Sequence, residues 1–263
     1  MSSPGACRRL APPGARRRSP IVPEGLVISD LHLFSARSAG EDRVRQLLPR
    51  GQRSAVLVLN GDTFDFRWSR HRDTAASIEA ALRWLEELLD RLPQTRLHLL
   101  AGNHDCLAAF EAAVQQRFAG HPRLSWHPHW LILGDRLFLH GDCAHRPMDV
   151  AGLARYRASW AQDPPRGGLA ARAYVWLDRL RLTHAAHGLH FPHRRTIRRI
   201  AAYLDAAVPG WRDRIRHCHF GHTHRALSDY PHDGIRFHNS GCGILGMEFR
   251  PAWFNLPDAL VNA

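Results

Sequence analysis

Aspartate, asparagine and histidine repeatedly follow short apolar runs in this sequence, and each run has the length of a β-strand. The three earliest are Gly25–Ser29 before Asp30, Ala55–Leu59 before Asn60-Gly61-Asp62, and Arg96–Leu100 before Ala101-Gly102-Asn103-His104-Asp105. Turn preference explains an aspartate or a glycine after a strand, but it does not explain the repeated histidines. In open α/β sheets ligands bind at the carboxyl ends of the strands. The pattern therefore predicts an α/β fold with a polar site at one rim.

Helical periodicity and a hairpin signal place the other elements. Thr74–Leu92 carries leucines at helical spacing and is predicted to be an amphipathic helix. Trp130–Leu133 and Arg136–Leu139, joined by Gly134-Asp135, predict a two-residue β-hairpin that leads into His140-Gly141-Asp142. Further strands are expected near Ile215–Phe220 and Ile235–His238.

Composition limits the class of protein. With 263 residues and 44% hydrophobic side chains, the chain is long enough to form a large core, and no stretch has the length of a membrane span. The five cysteines are odd in number and form no CxxC pair, which favours a reducing, cytoplasmic setting over a disulfide framework. Residues 1–20, rich in Arg and Pro, lack the apolar core of a secretory signal and are predicted to be a disordered arm.

Five short motifs supply ligand-type side chains. They are Asp30-Leu31-His32, Gly61-Asp62-Thr63-Phe64-Asp65, Gly102-Asn103-His104-Asp105, His140-Gly141-Asp142 and Gly221-His222-Thr223-His224. Alternate residues of an extended segment point the same way, so D-x-H and H-x-H can each offer two ligands to one site. Oxygen and nitrogen donors without cysteine suit Mn²⁺, Fe²⁺, Zn²⁺ or Co²⁺. The motifs predict a metal centre at the strand ends.

The ordered set DxH, GDxxD, GNHD, H and GHxH resembles the calcineurin-like metallophosphoesterase family. The resemblance implies a four-layer α/β/β/α sandwich, here over residues 21–263, and two divalent metal ions, with Mn²⁺ as the preferred ion. One ion would be bound by Asp30, His32, Asp62 and His224, and the other by Asp62, Asn103, His140 and His222. Asp62 would therefore bridge the two ions.

The resemblance also implies hydrolysis of a phosphoester or pyrophosphate by a metal-bridging hydroxide. His104 would protonate the leaving oxygen or stabilise the charge on phosphorus, and Asp105 would orient it. Asp65 and Asp142 would support the ligands through hydrogen bonds. The alternative for Asp65, Asp105 and Asp142 is a purely structural role, because aspartate is common in turns and at helix caps.

A basic segment separates His140 from Gly221. All 36 cationic side chains of the protein are arginine, and 14 of them lie in 144–216 against five acids. The helical patterns Asp149–Trp160, Leu169–His187 and Pro192–Val208 predict an inserted cap over about 144–213. Arg194, Arg195 and Arg198 are candidate substrate-binding residues in this insertion. The alternative is an ordinary helical pair with a solvated arginine face.

Within the family, Ser29-Asp30-Leu31-His32-Leu33, Gly221-His222-Thr223-His224-Arg225 and the insertion after HGD are similar to UDP-2,3-diacylglucosamine hydrolases. These enzymes cleave a pyrophosphate to give UMP, which implies a nucleotide-diphosphate lipid as substrate and peripheral contact with the inner membrane. Many of them have arginine where this chain has His104. A phosphodiesterase acting on nucleic acid or cyclic nucleotides is the alternative, its arginines following the phosphates. A non-catalytic scaffold is disfavoured because all seven ligand positions are filled.

Overall fold

The structure is a computed structural model that describes residues 24–162 and 189–256. The arm predicted over 1–20 and the helix predicted at Leu169–His187 lie outside the described residues. Within them the chain forms two five-stranded sheets with helices on their outer faces.

The first sheet has the order β10-β1-β2-β3-β4 and is parallel except for β10 at one edge. Its strands are β1 (Glu24–Ile28), β2 (Ser54–Asn60), β3 (Arg96–Leu100), β4 (Leu124–His127) and β10 (Ala252–Asn255). The helices between these strands are α1 (Gly40–Gly51), α2 (Thr74–Arg91) and α3 (Ala108–Arg117). Three strands and one helix were predicted, and their bounds agree to within one residue.

The second sheet has the order β5-β6-β7-β9-β8. Its strands are β5 (Trp130–Leu133), β6 (Arg136–Leu139), β7 (His217–Phe220), β8 (Leu227–His232) and β9 (Ile235–Asn239). The β5–β6 hairpin has the predicted register, with Leu133 opposite Arg136. The segment between β6 and β7 contains α4 (Val150–Gln162), α5 (His193–Ala207) and the single turn α6 (Trp211–Arg214).

Three apolar clusters separate four layers. One packs α1–α3 against the first sheet, with Leu85 and Phe110 fully buried. A second fills the space between the sheets and includes Val58 and Phe138. The third packs the second sheet against the inserted helices through residues such as Leu204. β2 reads as a continuous apolar run because both of its faces are covered. The structure therefore confirms the predicted α/β/β/α sandwich.

The two sheets are joined near the ends of the strands. The Asn60 side chain donates from Nδ2 to Leu139 O at 3.0 Å and to His219 O at 3.3 Å. The loops after β1, β2 and β3 of the first sheet therefore meet those after β6 and β7 of the second. In the described part of the chain, no helix is both long and apolar enough to cross a membrane.

Candidate metal centre

Most of the predicted ligands have an unusual backbone conformation. Asp30, His32, Asp62, His222 and His224 have φ angles between 48° and 62°, the left-handed region that residues other than glycine seldom adopt. Backbone hydrogen bonds hold two of these loops together, because Asp30 N donates to Gly61 O and His32 N to Asp62 O, each at 3.0 Å. Strain of this kind persists where the surroundings impose it, and it is concentrated at functional sites.

One group of ligand atoms comes from the first and last motifs. His32 Nε2 lies 3.0 Å from His224 Nε2, and His224 Nε2 lies 3.4 Å from Asp30 Oδ1. All three residues are buried. Their ligand atoms are within 4.8 Å of one another, close enough to bind a single ion.

A second group comes from the three middle motifs and the last one. Asp62, His140 and His222 place ligand atoms within 4.8 Å of one another, and all three are buried. Asn103 joins this group because its Oδ1 lies 2.9 Å from His222 Nδ1. The four residues follow strands of both sheets, so this half of the centre spans the junction between them.

Asp62 lies between the two groups. Its Oδ2 is 3.2 Å from His140 Nε2 on one side and 3.9 Å from His32 Nε2 on the other. Its Oδ1 accepts a hydrogen bond from the backbone N–H of His104 at 2.8 Å. A carboxylate in this position can offer oxygen to ions in both groups.

Two observations test whether these residues fit metal ions. Nε2 of His222 is buried and has no hydrogen-bond partner among the described residues, a costly state that a cation would relieve. Gly102 and Gly221 pack directly against the carboxylates of Asp62 and Asp30, where a side chain would collide with them. With donors that are all oxygen or nitrogen, the site fits divalent ions of the first transition row.

The charges of the site indicate that protons and cations compete for it. Burial opposes ionisation of both Asp62 and His140, but the charges around them together outweigh burial: His140, His104 and His32 act on Asp62, and Asp62, Asp30 and Asp142 act on His140. The pKa of Asp62 is held well below its usual value, and the pKa of His140 is raised to about 10. Burial raises the pKa of Asp30 to about 6, with His140 opposing that shift and Asp62 adding to it. A bound cation would displace these protons.

His104, the predicted acid, is adjacent to both ligand groups. Its ring meets His32 edge-on at 4.7 Å between centroids, and its Nδ1 lies 3.0 Å from Asp65 Oδ1. Burial opposes protonation of His104, but Asp65 and Asp62 raise its pKa to about 9. The imidazole is therefore protonated at neutral pH in this state.

Asp65 is the carboxylate that contacts the His104 ring, and the orienting role of Asp105 stays a prediction. Asp105 Oδ2 accepts from the backbone N–H groups of Thr63 at 2.8 Å and Phe64 at 3.3 Å. Its Oδ1 accepts from Gly102 N at 2.6 Å. Asp105 therefore fixes two metal-binding loops against each other. Asp65 also supports a ligand, because its Oδ2 lies 3.4 Å from His32 Nδ1.

Asp142 has a partner that the sequence analysis missed. Arg157 of α4 donates from Nε and Nη2 to the two carboxylate oxygens of Asp142 at 2.7 and 3.0 Å. It also donates to Ala101 O at 3.0 Å and to Pro128 O. Burial works against these charges, but the pair keeps the pKa of Asp142 low and that of Arg157 high. Arg157 lies on the buried side of α4 with Leu153 and Tyr156. An arginine on the apolar side of a predicted helix is the sequence feature that could have indicated a buried ion pair.

A cavity of about 520 Å³ opens over the ligand groups. His145 and Phe191 belong to its wall, together with Tyr156 and Trp160 of α4. Arg67 lies above the Trp160 ring, with its guanidinium carbon 4.5 Å from the centroid. The insertion thus supplies an aromatic wall opposite the metal ligands.

The arginines proposed for substrate binding lie elsewhere. Among the described residues that line the metal cavity, Arg194, Arg195 and Arg198 are absent. Arg195 and Arg198 instead line a separate cleft between α4 and α5. Contact of these three arginines with substrate stays a prediction.

One protein family matches this chain in sequence, and solved structures align with it at low identity. The profile of the calcineurin-like phosphoesterases matches residues 26–226, a span that includes all seven predicted metal ligands. No curated protein matches the chain. A dimetal phosphatase from Danio rerio aligns over 90% of this chain and 93% of its own, with 11% identity and a TM-score of 0.47. A nuclease MPE from Pseudomonas putida aligns over 47% of this chain and 54% of its own, with 22% identity and a TM-score of 0.27.

Proposed function

The chain belongs to the calcineurin-like phosphoesterase family, and we propose that it hydrolyses a phosphoester or diphosphate bond at a centre of two divalent metal ions. The observation that carries this proposal is the position of Asp62 between two buried ligand groups. Asp30, His32 and His224 would hold one ion with Asp62. Asn103, His140 and His222 would hold the other with Asp62.

Two bound divalent ions would polarise the phosphoryl oxygens and lower the pKa of water at the centre. The protein residues have separate tasks. Asp65 holds the rings of His32 and His104 through its two carboxylate oxygens. Asp105 fixes the backbone of the loops that carry Asp62 and Asn103. The aromatic wall of the insertion borders one side of the cavity.

His104 would donate a proton to the leaving oxygen. Because its Nδ1 is directed at Asp65, Nε2 is the ring atom left for a substrate. Its raised pKa of about 9 keeps the proton available at neutral pH. Nearby cations will lower this value, which brings the acid closer to the pH at which general catalysis is most effective.

For the substrate we propose a nucleotide-diphosphate lipid of the UDP-2,3-diacylglucosamine type. The support is the similarity of the motifs around Asp30 and His222 to hydrolases of this type, and the aromatic wall over the cavity. Such a substrate would bring the protein to the cytoplasmic face of the inner membrane.

The test is release of UMP from UDP-2,3-diacylglucosamine in detergent by protein loaded with Mn²⁺. We expect UMP in the loaded sample and none after chelation or in the Asp62→Asn variant. Cleavage of bis(4-nitrophenyl) phosphate without UMP release would support metal-dependent phosphoester hydrolysis and reject the lipid substrate. Failure to cleave either compound with two ions bound would reject the proposed activity itself.

A further inference from the structure

A second large cleft lies beside the inserted helices and is rich in arginine. It has a volume of about 860 Å³ and is lined by Arg155 of α4, by Arg195, Arg198 and Arg199 of α5, and by Arg146 of the segment before α4. Arg198 and Arg199 follow Arg195 by three and four residues, so both lie beside Arg195 on one side of the helix. Five guanidinium groups therefore border one concave surface.

Among the described residues, the lining of the cleft has little negative charge to balance these arginines. Asp149 is the single carboxylate in its described lining, and its Oδ1 accepts a hydrogen bond from Gly152 N at 2.7 Å. None of the five arginines forms an ion pair with a described carboxylate, whereas exposed arginines on other helices do. Arg45 binds Asp42 at 3.0 Å and Arg117 binds Glu79 at 2.9 Å. The described lining of the cleft therefore has a net positive charge, which an anionic ligand would balance.

Repulsion within the group supports the same conclusion. Burial and the neighbouring Arg195 guanidinium lower the pKa of Arg199. Arg199 is held in place by hydrogen bonds from its Nη1 to Ala144 O at 2.9 Å and His145 O at 3.0 Å. The cationic surface is thus partly fixed before any ligand arrives, which reduces the ordering cost of binding.

The cleft is distinct from the metal cavity. The two share no lining residue among those described. His145 faces the metal cavity and Arg146, the next residue, faces the cleft, so the chain around Ala144–Arg146 forms the wall between them. Ligand binding in the cleft is therefore separate from the proposed hydrolysis.

We propose that this cleft binds an oligophosphate, a small ligand with three or more linked phosphate groups. Planar guanidinium groups bind phosphate oxygens in pairs, and several on two facing helices match a row of phosphates better than a single one. A concave surface of this size encloses a compact anion and fits poorly to the plane of a bilayer.

The probe is a tripolyphosphate with methylene bridges, which a phosphoesterase centre cannot cleave. Its binding is measured by titration calorimetry at 150 mM salt, with the full chain saturated with Mn²⁺. The cleft variant is Arg155→Gln/Arg198→Gln. The matched control, Arg45→Gln/Arg83→Gln, also removes two charges, from exposed and ion-paired residues of α1 and α2.

We expect the cleft variant to weaken tripolyphosphate binding at least tenfold and the control to change it less than twofold. Orthophosphate should bind wild type at least tenfold more weakly than the tripolyphosphate. Equal losses in both variants would show a general charge effect and overturn the proposal. It would also be overturned by unchanged binding in the cleft variant, or by binding of phosphatidylglycerol vesicles without binding of tripolyphosphate. Circular dichroism of both variants confirms that a loss reflects the cleft and not the fold.

Discussion

At the scale of single residues, the chemistry depends on ligands that the backbone holds in a strained conformation. The resemblance of the ordered motifs to the family implied two ligand sets, and the structure brings together ligand atoms of Asp30, His32 and His224 in one group and of Asp62, His140 and His222 in another. The sequence could not predict the left-handed backbone of Asp30 and Asp62, since that conformation is imposed by hydrogen bonds between the two loops. The sequence suggested Asp105 as the partner of His104 because the two are adjacent in the chain. In the fold, the His104 ring contacts Asp65, which is distant in sequence.

Gly102→Ala should reduce metal binding. The new methyl group would collide with the Asp62 carboxylate and backbone, which would move the residue shared by both ligand groups. We expect at least a tenfold loss of Mn²⁺ affinity, measured by metal titration. Gly51→Ala is the control, because its methyl group would meet only Leu92 Cδ2 at 3.7 Å. Equal Mn²⁺ affinities in the two variants would contradict the role of Asp62.

His104→Gln should lower turnover about 10²–10⁴-fold, the range for loss of a general acid. Two metal ions should remain bound, because the hydrogen bond to Asp62 comes from the His104 backbone. In wild type, activity should fall as pH rises through the pKa of His104, since the acid then loses its proton. The variant should lack this basic limb of the pH–rate profile. Loss of both metal ions on substitution would argue that His104 serves as a ligand.

At the scale of elements, α4 connects the insertion to the metal-binding loops through Arg157. The sequence predicted the helix, within two residues at either end, but the sequence pattern assigned no role to Arg157. Arg157 is 8% exposed and binds Asp142, Ala101 and Pro128, so its position on the buried side determines its role. Helix periodicity shows the buried side, but the partner on the loop after β6 is visible only in the folded chain.

Arg157→Ala should destabilise the protein by about 3–5 kcal/mol, because it leaves the Asp142 carboxylate buried without its cation. Urea denaturation measures this loss. Arg155→Ala, on the exposed face of the same helix, should change stability by less than about 0.5 kcal/mol. Similar losses in both variants would mean that helix propensity, and not the buried pair, accounts for the effect.

At the scale of the whole molecule, the metal centre is a junction between the two sheets. Asp62 follows a strand of the first sheet, and His140 and His222 follow strands of the second. The sequence predicted the layered fold through its strand-end motifs and its resemblance to the family. It did not predict β4, β8 or β10, whose short and partly exposed segments lack a clear apolar pattern.

Removal of the metal ions should destabilise the whole domain, because the ions bind only when both sheets are in place. At a free metal concentration 100-fold above Kd, binding contributes about 2.7 kcal/mol. For a chain of this size that corresponds to a Tm shift of about 5–10 °C. Thermal unfolding with and without a chelator measures it. An unchanged Tm would contradict this prediction, because ions that bind only the folded protein must raise its Tm.

The most direct test of the two-metal account is the rate of phosphodiester hydrolysis as Mn²⁺ is added stepwise to metal-free protein. The account predicts that activity rises until two equivalents are bound per chain and that Asp62→Asn stays inactive throughout. Full activity in the chelated protein, or no hydrolysis with two equivalents bound, would contradict it.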